Sequence, residues 1–199
     1  MASGRAPRVA LVNLGCRVNR VELDAMAAEL EAMGCVLASQ EEADAVVVNT
    51  CAVTGEAEAK ARKAVRHAAG LPGVSAVVAT GCVASLFADE LDALGDNVRV
   101  EVLKDRVPAA VAAALGDAGM APEPAAERSD AGGSVTPTGR MRPGIKVQDG
   151  CDNRCTYCIV WKARGPARSL PLEDAVAAVR RAVADGAGEV VLTGINLGR

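Results

Sequence analysis

Ala43-Asp-Ala-Val-Val-Val-Asn-Thr-Cys-Ala-Val-Thr54 is the stretch that decides the fold. Its centre, Ala45 to Val48, is a short, unbroken apolar run dominated by β-branched residues, and we read a strand over Ala43 to Asn49 with both faces buried. A helix follows from about Thr54 to Ala69, and Gly70 closes it. The same cycle runs in both directions from this stretch. Upstream, Arg8 to Leu14 is a near-continuous apolar run, and Asn19 with Glu22 has the spacing of a capping box opening a helix that lasts to Met33 and stops at Gly34. A short strand near Val36 to Ala38 comes next. Downstream come a strand over Val74 to Thr80, a helix over Ala84 to Leu94, a strand over Val98 to Leu103 and a helix over Val107 to Leu115. Strands alternating with helices through short loops predict right-handed crossovers and a parallel sheet with helices on both faces. Residues 1–116 are expected to form one α/β domain.

The chain has 199 residues, 50% of them apolar, enough to bury a core. Aromatic residues make up only 2% (Phe87, Tyr157 and Trp161), so that core is packed from Val, Leu and Ala. Lys plus Arg total 22 against 25 for Asp plus Glu, and a net charge of −3 gives no electrostatic footprint for unaided nucleic-acid binding. The first residues lack the apolar run of a signal peptide, and no later stretch reaches the length of a membrane span. The expected setting is the cytoplasm, with no membrane partner. Seven cysteines there are poor disulfide material, because the compartment keeps thiols reduced and an odd count leaves one unpaired. Metal or redox chemistry is the better reading.

Between Asp117 and Gly144 the composition shifts to Pro, Gly, Ser, Ala and scattered charge without periodicity, and we read residues 117–144 as a linker. In residues 145–199, Ile145 to Val147 is a strand, Pro171 opens a helix that runs to about Asp185, and Glu189 to Thr193 is a second, buried strand. One βαβ unit cannot cover its own sheet, so the chain reads as a fragment whose second domain continues past Arg199.

Cys151, Cys155 and Cys158 form C-x-x-x-C-x-x-C just beyond a strand. Three thiolates at that spacing on one loop can ligate three irons of a cubane and leave the fourth iron without a protein ligand. S-adenosylmethionine (SAM) can chelate that open iron, and an electron from the cluster can then cleave its sulfonium. The alternative is a zinc knuckle, which wants a fourth ligand nearby. Cys16, Cys51 and Cys82 are distant in sequence, yet each follows the C-terminal end of a strand, and in a parallel sheet those ends share one edge, where open α/β folds bind their ligands. Gly15 and Gly81 allow close backbone approach beside two of them. The three thiols are thus expected to converge on a second cluster; the alternative is three ordinary buried cysteines. Cys35, at the opposite edge, reads as a small buried hydrophobe. His67, in the last turn of a helix, is accounted for by the helix dipole.

Asn-Leu-Gly-Cys-Arg-Val-Asn19, Asn-Thr-Cys-Ala-Val-Thr54, Thr-Gly-Cys82 and Gln-Asp-Gly-Cys-Asp-Asn-Arg-Cys-Thr-Tyr-Cys158 together resemble the radical SAM methylthiotransferases. The resemblance implies a flavodoxin-like front domain with an auxiliary [4Fe-4S] cluster, followed by the start of a radical SAM partial barrel with a second [4Fe-4S] cluster and SAM. Gly-Cys-Arg-Val-Asn19 and Thr-Cys-Ala-Val-Thr54 are most similar to the branch that acts on threonylcarbamoyladenosine beside the tRNA anticodon; the isopentenyladenosine and ribosomal-protein branches are the alternatives, and a non-enzymatic zinc-binding module is the rival from another class. On the family pattern, one SAM methylates a sulfur at the front cluster, and a second yields a 5′-deoxyadenosyl radical that takes hydrogen from adenine carbon 2. Tyr157 is then placed against the SAM adenine, and Thr193, Gly194 and Asn196 present groups to its amino end. The implied partners are a tRNA substrate, held through regions beyond this chain, an electron donor and a sulfur donor. The piece alone is expected to be inactive. The chain departs from the family in Ile-Val-Trp-Lys-Ala before Arg164-Gly165, where a proline and an aromatic are usual.

Overall fold

Two faces of one parallel sheet, each covered by helices, organise the front half. The structure, a computed structural model, describes residues 5–123 and 141–198. β1 (Arg8–Asn13) leads to α1 (Arg17–Ala32), then β2 (Val36–Leu37), β3 (Ala45–Thr50), α2 (Gly55–Ala69), β4 (Ala76–Gly81), α3 (Cys82–Leu86), α4 (Ala88–Asp92), β5 (Val98–Val100) and α5 (Val107–Asp117). The strands lie in the order β2-β1-β3-β4-β5, all parallel. This is the flavodoxin-like order, whose direction of winding reverses between β1 and β3.

The strand sequences account for both layers, because consecutive side chains alternate between faces. Val46, Val48, Val77 and Ala79 face α2, α3 and α4, where Ala61, Val65, Val83 and Leu91 complete one core. Ala45, Val47, Ala76 and Val78 face α1 and α5, meeting Leu23, Met26, Leu30, Val111 and Leu115. At the end of α1, Gly34 has φ +94 and the Cys35 N–H returns to the Leu30 carbonyl at 2.9 Å, so the left-handed turn that stops this helix requires glycine.

In the front half three expectations need correction. No capping box opens α1: the cap is Cys16 and the helix starts at Arg17, three residues earlier than a cap at Asn19 implies, and Asn19 and Glu22 are both buried. Their polar groups are drawn inward by partners on other elements, and these outcompete a local cap. The single helix expected over Ala84 to Leu94 is two, broken where the Phe87 backbone leaves the helical region. Its start moves back to Cys82 because the Thr50 hydroxyl accepts from the N–H groups of Val83 and Ala84 at 3.1 and 3.3 Å. The strand expected to reach Leu103 ends at Val100, and Val102 and Leu103 are exposed.

The linker expected over 117–144 lies mostly outside the described residues. Beyond it, β6 (Gly144–Lys146), β7 (Gln148–Asp149), α6 (Val160–Arg164), β8 (Arg168–Ser169), α7 (Leu172–Ala184) and β9 (Val191–Thr193) follow. β6 and β9 pair in parallel across α7, the expected βαβ unit, while β7 and β8 form an antiparallel ladder. The last strand is less buried than expected: Leu192 is half exposed, because β9 has only β6 beside it among the described residues. This half packs on the front half through α6 against α3 and β6 against α1. Gly144 lies so close to Val21 that a side chain there would overlap it.

Candidate functional site

The ends of β1, β3 and β4 are level, with Asn13, Asn49 and Thr80 in register, and the chain leaves that edge toward Cys16, Cys51 and Cys82. Cys16 and Cys51 therefore flank the switch point of the sheet, where parallel α/β folds open a crevice. A polar lattice fixes the three turns. Asn19 Nδ2 donates to Asn49 Oδ1 at 3.0 Å and to the Thr50 carbonyl at 2.9 Å, and Asn49 Nδ2 returns to the Asn19 carbonyl at 2.8 Å. The Thr50 hydroxyl donates to the Thr80 carbonyl at 2.6 Å. Gly81 has φ +93, and a Cβ there would collide with the Thr50 carbonyl. Only glycine permits β4 to deliver Cys82 this close to β3.

Cys16 is exposed, and its thiol donates to Asn19 Oδ1 at 3.3 Å. Cys51 and Cys82 are buried. Burial pushes the Cys82 thiol up, the Arg164 guanidinium beside it pulls the other way, and the charge of Cys51 is felt there as well. Cys35 lies by the opposite edge, next to the pairing of Val36 with Arg8 at the start of β1, and belongs to the α1/α5 core. Burial alone drives its thiol up to about 11. The stability this gives the fold is present in full below the ordinary cysteine value near ~8.5 and is lost as pH rises from there through about 11. Cys35→Ala is therefore expected to keep the full iron content of the reconstituted chain and to flatten its loss of stability above pH ~8.5, as read by iron analysis and by melting curves against pH. A drop in iron would place Cys35 among the ligands.

The second triad is shaped by β7. Gly150, at φ +73 and tight against the Pro166 carbonyl, turns the chain into Cys151, whose N–H donates to the Gly165 carbonyl at 3.1 Å. Arg154 takes a left-handed conformation at φ +48, and the Cys158 N–H closes a turn on the Cys155 carbonyl at 3.1 Å. Gln148 joins this loop to the end of β9. Its Oε1 accepts from the N–H groups of Ile195 and Asn196 at 2.9 and 2.8 Å, while Nε2 donates to the carbonyls of Asp149 and Gly150 at 3.0 and 2.8 Å. Asn196 Nδ2 comes within 4.0 Å of Cys151 Sγ.

One cavity of about 410 Å³ gathers most of the candidates: Cys151, Cys155 and Cys158, with Tyr157, Thr193, Gly194 and Asn196, and Cys16 from the front half. Cys51 and Cys82 are not on its lining. Among the described residues no three His, Cys, Asp or Glu side chains close round a point as ligands of one ion do. A cubane asks for something different, thiolates spread over separate irons with one corner open. The chemistry of the donor set fits that group: three half-buried thiols on one loop, lining a cavity on whose wall no His, Asp or Glu is found among the described residues. At the front edge the buried Asn13 Oδ1 and Thr80 Oγ1 have no protein partner among the described atoms. Three functional features escaped the sequence reading: the Gln148 clasp, the Asn19–Asn49–Thr50 lattice, and the ion pair of Arg164 with Glu22, which joins the halves at 2.8 Å. The only local signal for the last was a glutamate on a helix face that otherwise packs inward.

Residues 145–196 match the radical SAM superfamily, which uses SAM and a [4Fe-4S] cluster, and this sets the class of the second half. Residues 8–102 match the uncharacterized protein family UPF0004. The ribosomal protein uS12 methylthiotransferase RimO of Desulforudis audaxviator is 33% identical over 94% of this chain and 43% of its own length. The threonylcarbamoyladenosine tRNA methylthiotransferase MtaB of Thermotoga maritima is 34% identical over 96% of this chain and 44% of its own, and MtaB of Chlamydia pneumoniae is 35% identical over 94% and 43%. The chain belongs to the radical SAM methylthiotransferase family. It spans less than half the length of these relatives. No helix among the described residues is long and apolar enough to cross a membrane.

Proposed function

We propose that this chain is the cluster-bearing front of a methylthiotransferase that adds a methylthio group to carbon 2 of threonylcarbamoyladenosine in tRNA. Residues 1–116 hold an auxiliary [4Fe-4S] cluster on Cys16, Cys51 and Cys82; residues 145–199 hold the SAM cluster on Cys151, Cys155 and Cys158, and residues 117–144 link the two. The observation that carries this reading is the shared cavity, whose lining holds Cys16 of one triad together with all three members of the other. When bound, the SAM cluster supplies a carbon radical able to take hydrogen from an unactivated carbon. The chain's own residues do the holding. Gln148 fixes the backbone at Ile195 and Asn196 beside Cys151, which leaves the Asn196 amide and the Thr193–Gly194 turn to receive the polar end of SAM. Tyr157, 90% exposed at the cavity mouth, offers a ring face to an adenine. Electrons and sulfur come from partner donors, and the setting is the cytoplasm.

The tRNA branch rests on Gly-Cys-Arg-Val-Asn19 and Thr-Cys-Ala-Val-Thr54, while relatives named for tRNA and for ribosomal protein uS12 are similarly close. In cells lacking the gene, mass spectrometry of nucleosides is expected to show loss of the methylthio group from threonylcarbamoyladenosine. An unchanged nucleoside with loss of the group from uS12 would assign the other branch.

A further inference from the structure

The two halves also meet at a buried cation, Arg164. Arg164 ends α6, the short helix that follows the second triad, and its side chain is 2% exposed. Nη1 donates to Glu22 Oε1 at 2.8 Å and to Asp149 Oδ1 at 2.9 Å; Nη2 donates to Glu22 Oε2 at 3.3 Å and to Asn19 Oδ1 at 3.0 Å. The same Asn19 oxygen accepts from the Cys16 thiol. Cys16 thus lies one amide away from a cation contributed by the other half. Cys82 opens α3, the helix on which α6 packs, and the guanidinium charge is felt at its thiol, where it opposes the effect of burial. Lys146 bonds Glu22 at 2.9 Å and Asp149 at 3.0 Å, so two cations and two carboxylates already balance before any thiolate joins them. Lys104 is the remaining cation felt at Cys82.

A cluster's potential responds to hydrogen bonds on its sulfurs and to nearby charge, since both favour the more negative reduced form. We propose that Arg164 is a positioning residue of the front site: the radical SAM half, through this side chain, holds Asn19, the residue that meets the Cys16 thiol, and raises the potential of the cluster there. This rests on the reading of Cys16, Cys51 and Cys82 as cluster ligands. A guanidinium suits the task because its planar fork serves several acceptors at once and it does not lose its charge.

The test uses the chain with Cys151, Cys155 and Cys158 changed to Ala, reconstituted anaerobically and titrated by electron paramagnetic resonance. Iron is counted first. About four irons per chain sustain the front-cluster reading, and no iron overturns both that reading and the inference. Arg164→Met is expected to lower the potential, cutting the reduced-to-oxidised ratio at fixed poise about tenfold, or about 59 mV for a one-electron couple. Arg164→Lys, which keeps the charge but not the fork, should fall between the two. Asp149→Asn leaves Arg164 in place with one fewer carboxylate and should move the potential upward; it decides the matter if Arg164→Met does not fold or load. A loaded Arg164→Met protein with the parent's potential, or an Asp149→Asn shift that is absent or downward, overturns the inference.

Discussion

A reconstituted chain in which Cys151, Cys155 and Cys158 are all alanine will hold about four irons where the parent holds roughly eight, and will lose the ability to bind SAM. The front triad should survive because the lattice that shapes it, Asn19 to Asn49 and Thr50 to Thr80, is built from residues of the front half, on α1 and the sheet. The reverse change of Cys16, Cys51 and Cys82 should leave the other cluster, whose loop is set by Gly150 and the Gln148 clasp. Iron and sulfide analysis with equilibrium dialysis of labelled SAM measures both. Loss of all iron from either variant would mean that the triads do not act as separate sites. Both proteins should be brown when loaded, as thiolate-bound clusters are; a colourless metal-bound protein would point to zinc.

The second large effect is expected at Gly81. Its φ of +93 lies where side chains are strained by about 1–3 kcal/mol, and a Cβ would also overlap the Thr50 carbonyl. Gly81→Ala should lower the melting temperature by roughly 3–10 °C and remove the front cluster's iron, because β4 must shift away from β3 and carry Cys82 with it. Gly73 is the control. It has the same φ of +93 with no atom within 4 Å of where a Cβ would sit, so Gly73→Ala carries the dihedral penalty alone. Melting curves and iron counts on the pair separate strain from collision. Equal iron in both variants would show that the approach of β4 to β3 does not matter to the site.

What the sequence disclosed follows from the range of the forces involved. Near-continuous apolar runs and the helices between them are local signals, and they revealed the parallel sheet together with the edge that carries Cys16, Cys51 and Cys82. Asn19 and Glu22 misled for the same reason. Their spacing satisfies a capping box, and nothing nearby in sequence shows that Glu22 has a buried cation waiting 142 residues away. Gln148 was invisible as a clasp because its partners, Ile195 and Asn196, come from the far side of the βαβ unit. The break at Phe87 was missed because the segment from Ala84 to Leu94 contains no proline or glycine.

The Arg164–Glu22 pair also bears on how such chains can be recombined. A chimera that grafts this front half onto a foreign radical SAM half inherits Glu22 and Asn19 without the guanidinium that faces them. A buried carboxylate left in that state costs about 3–5 kcal/mol. A crossover within the linker is thus neutral only when the incoming half brings an arginine at the end of the short helix after its cysteine loop. Asn19, Glu22 and Arg164, scattered as they are along the sequence, must be inherited as one set.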